Sequence, residues 1–222
     1  MMTEQRVLYV GDPAERENLA TFLGRALRLD QAAVVRLRRR DERLVSAWVA
    51  TGFEALAVRT VVAELGVDDV TVGADLVLAG LASGSPIDLG YSMDSAWRGA
   101  LPPVTGFSHV DDVPARTLVE LAEQGADLAK EHGSGHGPPA ALLDQTVLTV
   151  SGAAVQVQVP MRVVFALTAM DFIPHSGDRA DSRRIPPDEI VRVRSSNTWL
   201  RLDARYGSVA RRLGGGLPLT PR

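Results

Sequence analysis

"AAVVRLRRRDERLVSAWVAT", residues 32–51, alternates with a period of two, and that alternation decides the fold class. Val35 and Leu37 fall on one side of an extended chain, while Arg36, Arg38 and Arg40 fall on the other. Successive side chains of a strand point to opposite faces, so the stretch predicts a half-buried strand with a solvated arginine face. Asp41–Glu42 supplies a turn, Leu44 to Thr51 returns, and "FEALAVRTVV" (53–62) adds the third strand of a meander. A dense arginine run also suits nucleic acid, but alternation alone accounts for it as the wet side of a sheet.

The pattern comes back at "EIVRVRSSNTWLRLDA", residues 189–204. Val191, Val193, Leu200 and Leu202 share one face, Arg192, Arg194 and Arg201 the other. Each hairpin carries one tryptophan in its returning strand (Trp48, Trp199) and lies downstream of a helix. In the first half, "RVLYV" (6–10) reads as a strand. Asp12 and Pro13 then supply an N-cap and an N1 proline, and Leu19, Phe22, Leu23 and Ala26 recur at helical spacing over 13–28. Residues 73–83 predict a second, short helix.

In the second half, Asp112 and Pro114 read as the start of a helix over 114–131, and Pro138–Pro139 as the start of a short one ending at Asp144. "TVLTV" and "AVQVQV" flank Ser151–Gly152 as a hairpin. Pro160 opens "MRVVFALTAMDFI", apolar nearly all round and therefore a buried helix. The expected fold is α+β: two small lobes with antiparallel hairpins and meanders packed on helices. Duplication of one unit and chance convergence of two hairpins both remain open.

Between the lobes, residues 84–112 show no periodicity, many Gly, Pro and Ser, and three aromatics. The division expected is an N-terminal lobe at 1–84, an ordered apolar arm at 85–109, a C-terminal lobe at 110–213 and a flexible tail at 214–222. The arm is too apolar to float freely. Trp97 and Phe107 are its anchors, with Leu101 beside them, and Pro102–Pro103 favours polyproline-II geometry.

The chain has 222 residues and no cysteine, which removes disulfides, thiol catalysis and cysteine-ligated metals. The start lacks a basic segment followed by an apolar one, and no apolar run approaches the ~18 residues of a membrane helix, so a cytoplasmic protein without membrane contact is expected. Only Lys130 among 24 basic residues is lysine, a bias expected of a GC-rich genome. Net charge is −3, unevenly spread. Residues 183–222 hold nine arginines against three acids, and residues 63–112 hold eight acids and only Arg98. Such opposed regions pair within one chain or between two copies.

At "WRGALPPVTGF" (97–107) and "WLRLDARYGSV" (199–209) the chain resembles an actinobacterial family of uncharacterised proteins. The resemblance extends over most of the chain and implies a bacterial cytoplasm. It brings no activity, cofactor or catalytic residue.

Chemistry has one candidate, "DFIPHSGDRADSRRIPPDE", residues 171–189. Asp171, His175, Asp178 and Asp181 recur every three to four residues, a rhythm that can gather oxygen ligands around a divalent ion. Arg179, Arg183 and Arg184 compete for the same carboxylates, and Gly, Ser, Pro and Asp are also what an exposed loop contains. His132 and His136 are four apart, but Gly–Ser–Gly between them breaks the helix that would align both rings. Ser108, His109 and Asp111 are neighbours in sequence, which argues nothing about a triad assembled by a fold. "RRLGGGLP" (211–218) has no Lys–Ser/Thr to follow it and cradles no phosphate.

No catalytic residue and no cofactor is therefore expected. The function expected is a non-enzymatic cytoplasmic interaction or scaffold protein that self-associates or takes a protein partner. Its partner-binding candidates are Arg36, Arg38, Arg40, Arg192, Arg194 and Arg201. Two alternatives stand beside it: a metal-assisted hydrolase using the 171–181 loop, and a nucleic-acid-binding regulator using the arginine hairpins. Nucleic acid is disfavoured by the acidic net charge and by the apolar helix after Pro160, which offers no polar recognition face.

Overall fold

In a computed structural model, residues 5–83, 86–132, 138–152, 155–177 and 181–214 are described. The elements run β1 (Val7–Tyr9), α1 (Pro13–Leu29), β2 (Val34–Arg39), β3 (Leu44–Ala50), β4 (Leu56–Val62), β5 (Glu64–Leu65), β6 (Asp69–Gly73), α2 (Ala74–Leu81) and β7 (Ile87–Asp88). They continue with β8 (Ser108–Pro114), α3 (Ala115–His132), α4 (Ala140–Asp144), β9 (Thr146–Ser151), β10 (Gln156–Pro160), α5 (Met161–Ala169), β11 (Ile190–Ser195), β12 (Trp199–Ala204) and β13 (Gly207–Arg212).

The fold is α+β, and its two lobes are fused edge to edge. An eight-stranded antiparallel sheet has the order β6-β2-β3-β4-β13-β12-β11-β8, four strands from each half of the chain. Within each half a three-stranded meander carries an extra strand beside its first member, β6 on β2 and β8 on β11. The halves meet last strand to last strand, with Val58 opposite Ser208, Ala57 opposite Val209 and Leu56 opposite Ala210. One core runs under the whole sheet, from Val35, Leu37 and Val49 to Val193, Leu200 and Leu202. The apolar faces read from the two hairpins are thus faces of a single layer.

Helices cover that face for the reasons the sequence holds. The Asp12 carboxylate accepts from Ala14 N (2.8 Å) and starts α1, which buries Leu19, Phe22, Leu23 and Ala26. Asp41 accepts from the amides of Arg43 and Leu44 (2.8 and 2.9 Å) and closes the β2–β3 turn. α5 is buried from Met161 through Leu167, Arg162 included.

Two expectations change. Residues 108–114 form β8, not the end of an arm and a helix cap. Asp112 lies in that strand opposite Arg192 and bonds His109 Nε2 (2.9 Å), and α3 starts at Ala115. Residues 207–212, left unassigned by periodicity, are β13, the strand that joins the halves. The tail expected at 214–222 lies outside the described residues apart from Gly214.

Two small sheets flank the large one: β5-β1-β7 and the hairpin β10-β9. The outer edge of β6 is closed by the start of the arm, where Thr71 N donates to Asp94 (2.9 Å) and Met93 N donates to Thr71 O (2.7 Å). Gly152, beyond β9, sits so close to the Val110 carbonyl that a Cβ there would lie 2.5 Å from it. Among the described residues, β9 and β10 pair only with each other.

Candidate protein-interaction surface

The face of the large sheet turned away from the helices carries the arginines singled out by the alternation. Most are neutralised inside the chain. Arg36 grips Asp69 with Nε and Nη2 (2.7 and 2.8 Å), and this hydrogen-bonded pair raises its pKa. Arg39 pairs with Asp68, and Arg192 Nε stands 3.7 Å from Asp112. Arg194 and Arg201 share Asp203 (3.1 and 2.5 Å). The acidic 63–112 region therefore answers part of the basic face within one copy. Arg38 and Arg40 are different: neither side chain forms an ion pair or hydrogen bond among the described residues.

The arm lies across this same face. Trp97, partly buried, has the Arg36 guanidinium 5.8 Å from its ring centroid, and its Nε1 donates to Gly99 O (3.1 Å). Phe107, also partly buried, sits under Arg201 at 5.2 Å. Between those rings the arm passes from β2 to β12, over the β4–β13 junction, where Pro102 and Ala210 are buried. Leu101 to Val104 form one wall of a groove of about 310 Å³. Trp48 and Val58 line it as well, and Arg38, Arg40 and Arg59 stand around it.

Of the loop candidates, the described residues bring two together. His175 Nε2 meets Asp171 Oδ1 at 2.6 Å, and Asp171 also pairs with Arg25 of α1. The His175 side chain is 8% exposed, and its Nδ1 is buried without a hydrogen-bond partner. Asp171 adopts a left-handed backbone (φ 56°). Asp181 is elsewhere engaged: it caps its own turn at Arg183 N and pairs with the Arg183 guanidinium, whose hydrogen bonds lower its pKa. Ser182 next to it is held by Glu123 of α3 (2.9 and 3.1 Å). Asp178 and His136 lie outside the described residues. Among the described residues no three acidic or histidine side chains converge as a metal site. Asp171, His175, Arg25 and Phe22 instead border a cleft of about 610 Å³ between α1 and the start of the loop.

Two arginines that periodicity did not mark matter at the junction of the halves. Arg162 is buried in α5 and reaches Asp144 (2.5 Å), Glu54 (2.9 Å) and the Phe53 carbonyl (3.4 Å). A single cation inside an otherwise apolar helix was its only signal. Arg59, half-buried on β4, donates to Tyr206 O, and burial lowers its pKa.

Residues 102–216 match the family described as "Domain of unknown function (DUF8185)". The chain belongs to this family. Residues 2–99 match a second, "Domain of unknown function (DUF8010)", so the two matched regions meet inside the arm. No curated protein sequence matches the chain. Solved structures share its fold. A DNA polymerase sliding clamp from Caulobacter crescentus aligns with TM-score 0.57 and 13% identity over 97% of this chain and 69% of that one. The Caulobacter crescentus pol III beta aligns with TM-score 0.55, 12% identity, 96% of this chain and 66% of that one. The sliding clamp of Bacillus subtilis aligns with TM-score 0.56, 10% identity, 99% of this chain and 67% of that one. The chain thus spans about two thirds of the length of these clamps, and the likeness is one of fold. Proteins that serve a DNA polymerase lend no support to the expectation against nucleic acid. Among the described residues no helix is long and apolar enough to cross a membrane.

Proposed function

We propose that the chain is a non-enzymatic scaffold of a bacterial, actinobacterial cytoplasm, which uses a clamp-type fold to hold protein partners and a second copy of itself. The observation that carries the reading is the alignment of nearly the whole chain, 97% of it, on the fold of a sliding clamp. Self-association is argued from the β9–β10 hairpin, which pairs with no other strand among the described residues and so offers free backbone donors and acceptors. Contact between the basic face of one copy and the acidic 63–112 region of another is a weaker route, because Asp68, Asp69 and Asp112 already hold arginines of their own chain.

Sedimentation at low and high salt, with and without a random DNA duplex, tests the proposal. The scaffold reading expects a species heavier than the 23.8 kDa monomer, little changed by salt and by duplex. A monomer at all concentrations refutes self-association. Co-sedimentation with the duplex, weakening steeply as salt rises, would move the function to nucleic acid.

A further inference from the structure

The sheet arginines divide into two kinds by their partners. Arg36, Arg39, Arg192, Arg194 and Arg201 each meet a carboxylate of the chain. Arg38, Arg40 and Arg59 form no ion pair among the described residues, and all three border the groove between the arm and the end of β13, beside the paired Arg39, Arg201 and Arg205. Arg59 differs from the other two: it is half-buried, also lines the cleft along α1, and has Glu15 favouring its charge. An anion entering the groove would supply what the chain withholds there. Its other surfaces are apolar or hydroxylic: Trp48 and Val58, the arm's Leu101 and Pro102, and the Ser46–Thr60 hydroxyl pair (3.0 Å).

We propose that this groove binds an acidic, extended segment of a partner protein, with carboxylates at Arg38 and Arg40 and apolar side chains against Trp48 and Val58. The proposal rests on the scaffold reading and names its partner chemistry. Charge complementarity selects carboxylates, which arginine forks recognise in pairs of hydrogen bonds. The arm selects an extended chain: a proline-containing segment already lies along this face with aromatic rings under arginines, and the groove runs beside it. A nucleic-acid strand fits less well. It needs a continuous basic track, whereas the arginines on either side of the groove are neutralised by Asp69 and Asp203.

The test is fluorescence anisotropy with the full chain and a short labelled peptide of alternating glutamate and leucine. The same peptide with glutamine for glutamate, and a labelled oligothymidine, run beside it. Arg38→Gln with Arg40→Gln should weaken the glutamate peptide about tenfold or more. Arg192→Gln, which lies outside the groove and faces Asp112 at 3.7 Å, should change it less than about twofold. Neither the Arg38 nor the Arg40 side chain forms a bond among the described residues, so circular dichroism should be unchanged. Equal binding of the glutamine peptide, no effect of the double variant, or no peptide binding overturns the proposal. Oligothymidine bound more tightly than peptide, and lost in the same variant, also overturns it and assigns the groove to nucleic acid. Sedimentation of the same samples separates the two readings: a self-associating protein that ignores the peptide loses the groove and keeps the scaffold.

Discussion

Arg162 sits where burial and solvation oppose each other, and mutating either end of its contacts tells which governs. Its side chain is 5% exposed, while Glu54 and Asp144, its two acids, are 75% and 59% exposed. Removing both acids strands a desolvated guanidinium with one long contact to the Phe53 carbonyl (3.4 Å). Breaking a buried pair in this way costs about 3–5 kcal/mol, and the lower end applies because water already reaches the carboxylates. Removing the cation instead frees two acids into water and puts an apolar side chain of similar length in a buried position of α5. Arg162→Met should therefore cost about 1 kcal/mol or less. Glu54 has a left-handed φ of 54°, but alanine also carries a Cβ, so Glu54→Ala adds no new strain. Urea unfolding followed by tryptophan fluorescence compares Arg162→Met with Glu54→Ala/Asp144→Ala. At a slope of about 2–3 kcal/mol per molar urea, the double variant should lose about 1 M in midpoint and the methionine variant a few tenths. A methionine variant as unstable as the double one would refute the reasoning and show that attraction across the junction outweighs desolvation.

Gly207→Ala would place a Cβ 2.5 Å from the Phe172 ring, which is itself stacked on Phe22 at 6.1 Å, so thermal denaturation should show a loss of about 1–3 kcal/mol. Adding Phe172→Leu should make the pair less costly than the sum of the singles; strict additivity would mean the ring is not the obstacle. Trp97→Ala should cost about 1–2 kcal/mol, less than a fully packed aromatic, because the ring is only partly buried and held by Arg36; a loss above about 4 kcal/mol would contradict that exposure. Asp94 has its pKa lowered, first by the Ser92 hydroxyl and then by the Thr71 amide. A depressed folded pKa means stabilisation that is present above the unfolded value of about 3.9 and is lost as pH falls through the folded value. Asp94→Ala should thus be about 1 kcal/mol less stable than the parent at pH 7, with the gap narrowing as pH falls below the unfolded value; a gap independent of pH would remove the carboxylate from the account.

The legible parts of the fold were those set by local chemistry. Asp12, Pro13 and the 3.6-residue spacing of Leu19, Phe22, Leu23 and Ala26 specify α1 without help from the rest of the chain. The two hairpins were legible because alternation at Val35 and Leu37, or Val191 and Val193, reports a half-buried strand wherever it lies. β8 was not, since "SHVDDVP" carries the Asp–Pro chemistry of a helix start, and only pairing with β11 makes it a strand. The arginine rows were read correctly as a face, but which arginines are free depends on Asp69, Asp112 and Asp203 arriving from distant strands. Arg38 and Arg40 differ from Arg36 only in what lies across from them in three dimensions.

The junction of β4 with β13 dictates an order of events during synthesis. Residues 56–58 leave the ribosome long before residues 208–210, their partners in the sheet. Until then β4 is a bare edge with Ala57 and Val61 on its apolar side, able to pair with the same strand of another nascent chain. Pairing across so long a stretch of chain is slow to form, because the loop entropy is lost before the contacts return it. The arm reaches this place earlier than β13 does and lies over the very strands that wait. A chain without its arm should then lose yield during refolding at high protein concentration more sharply than it loses stability once folded.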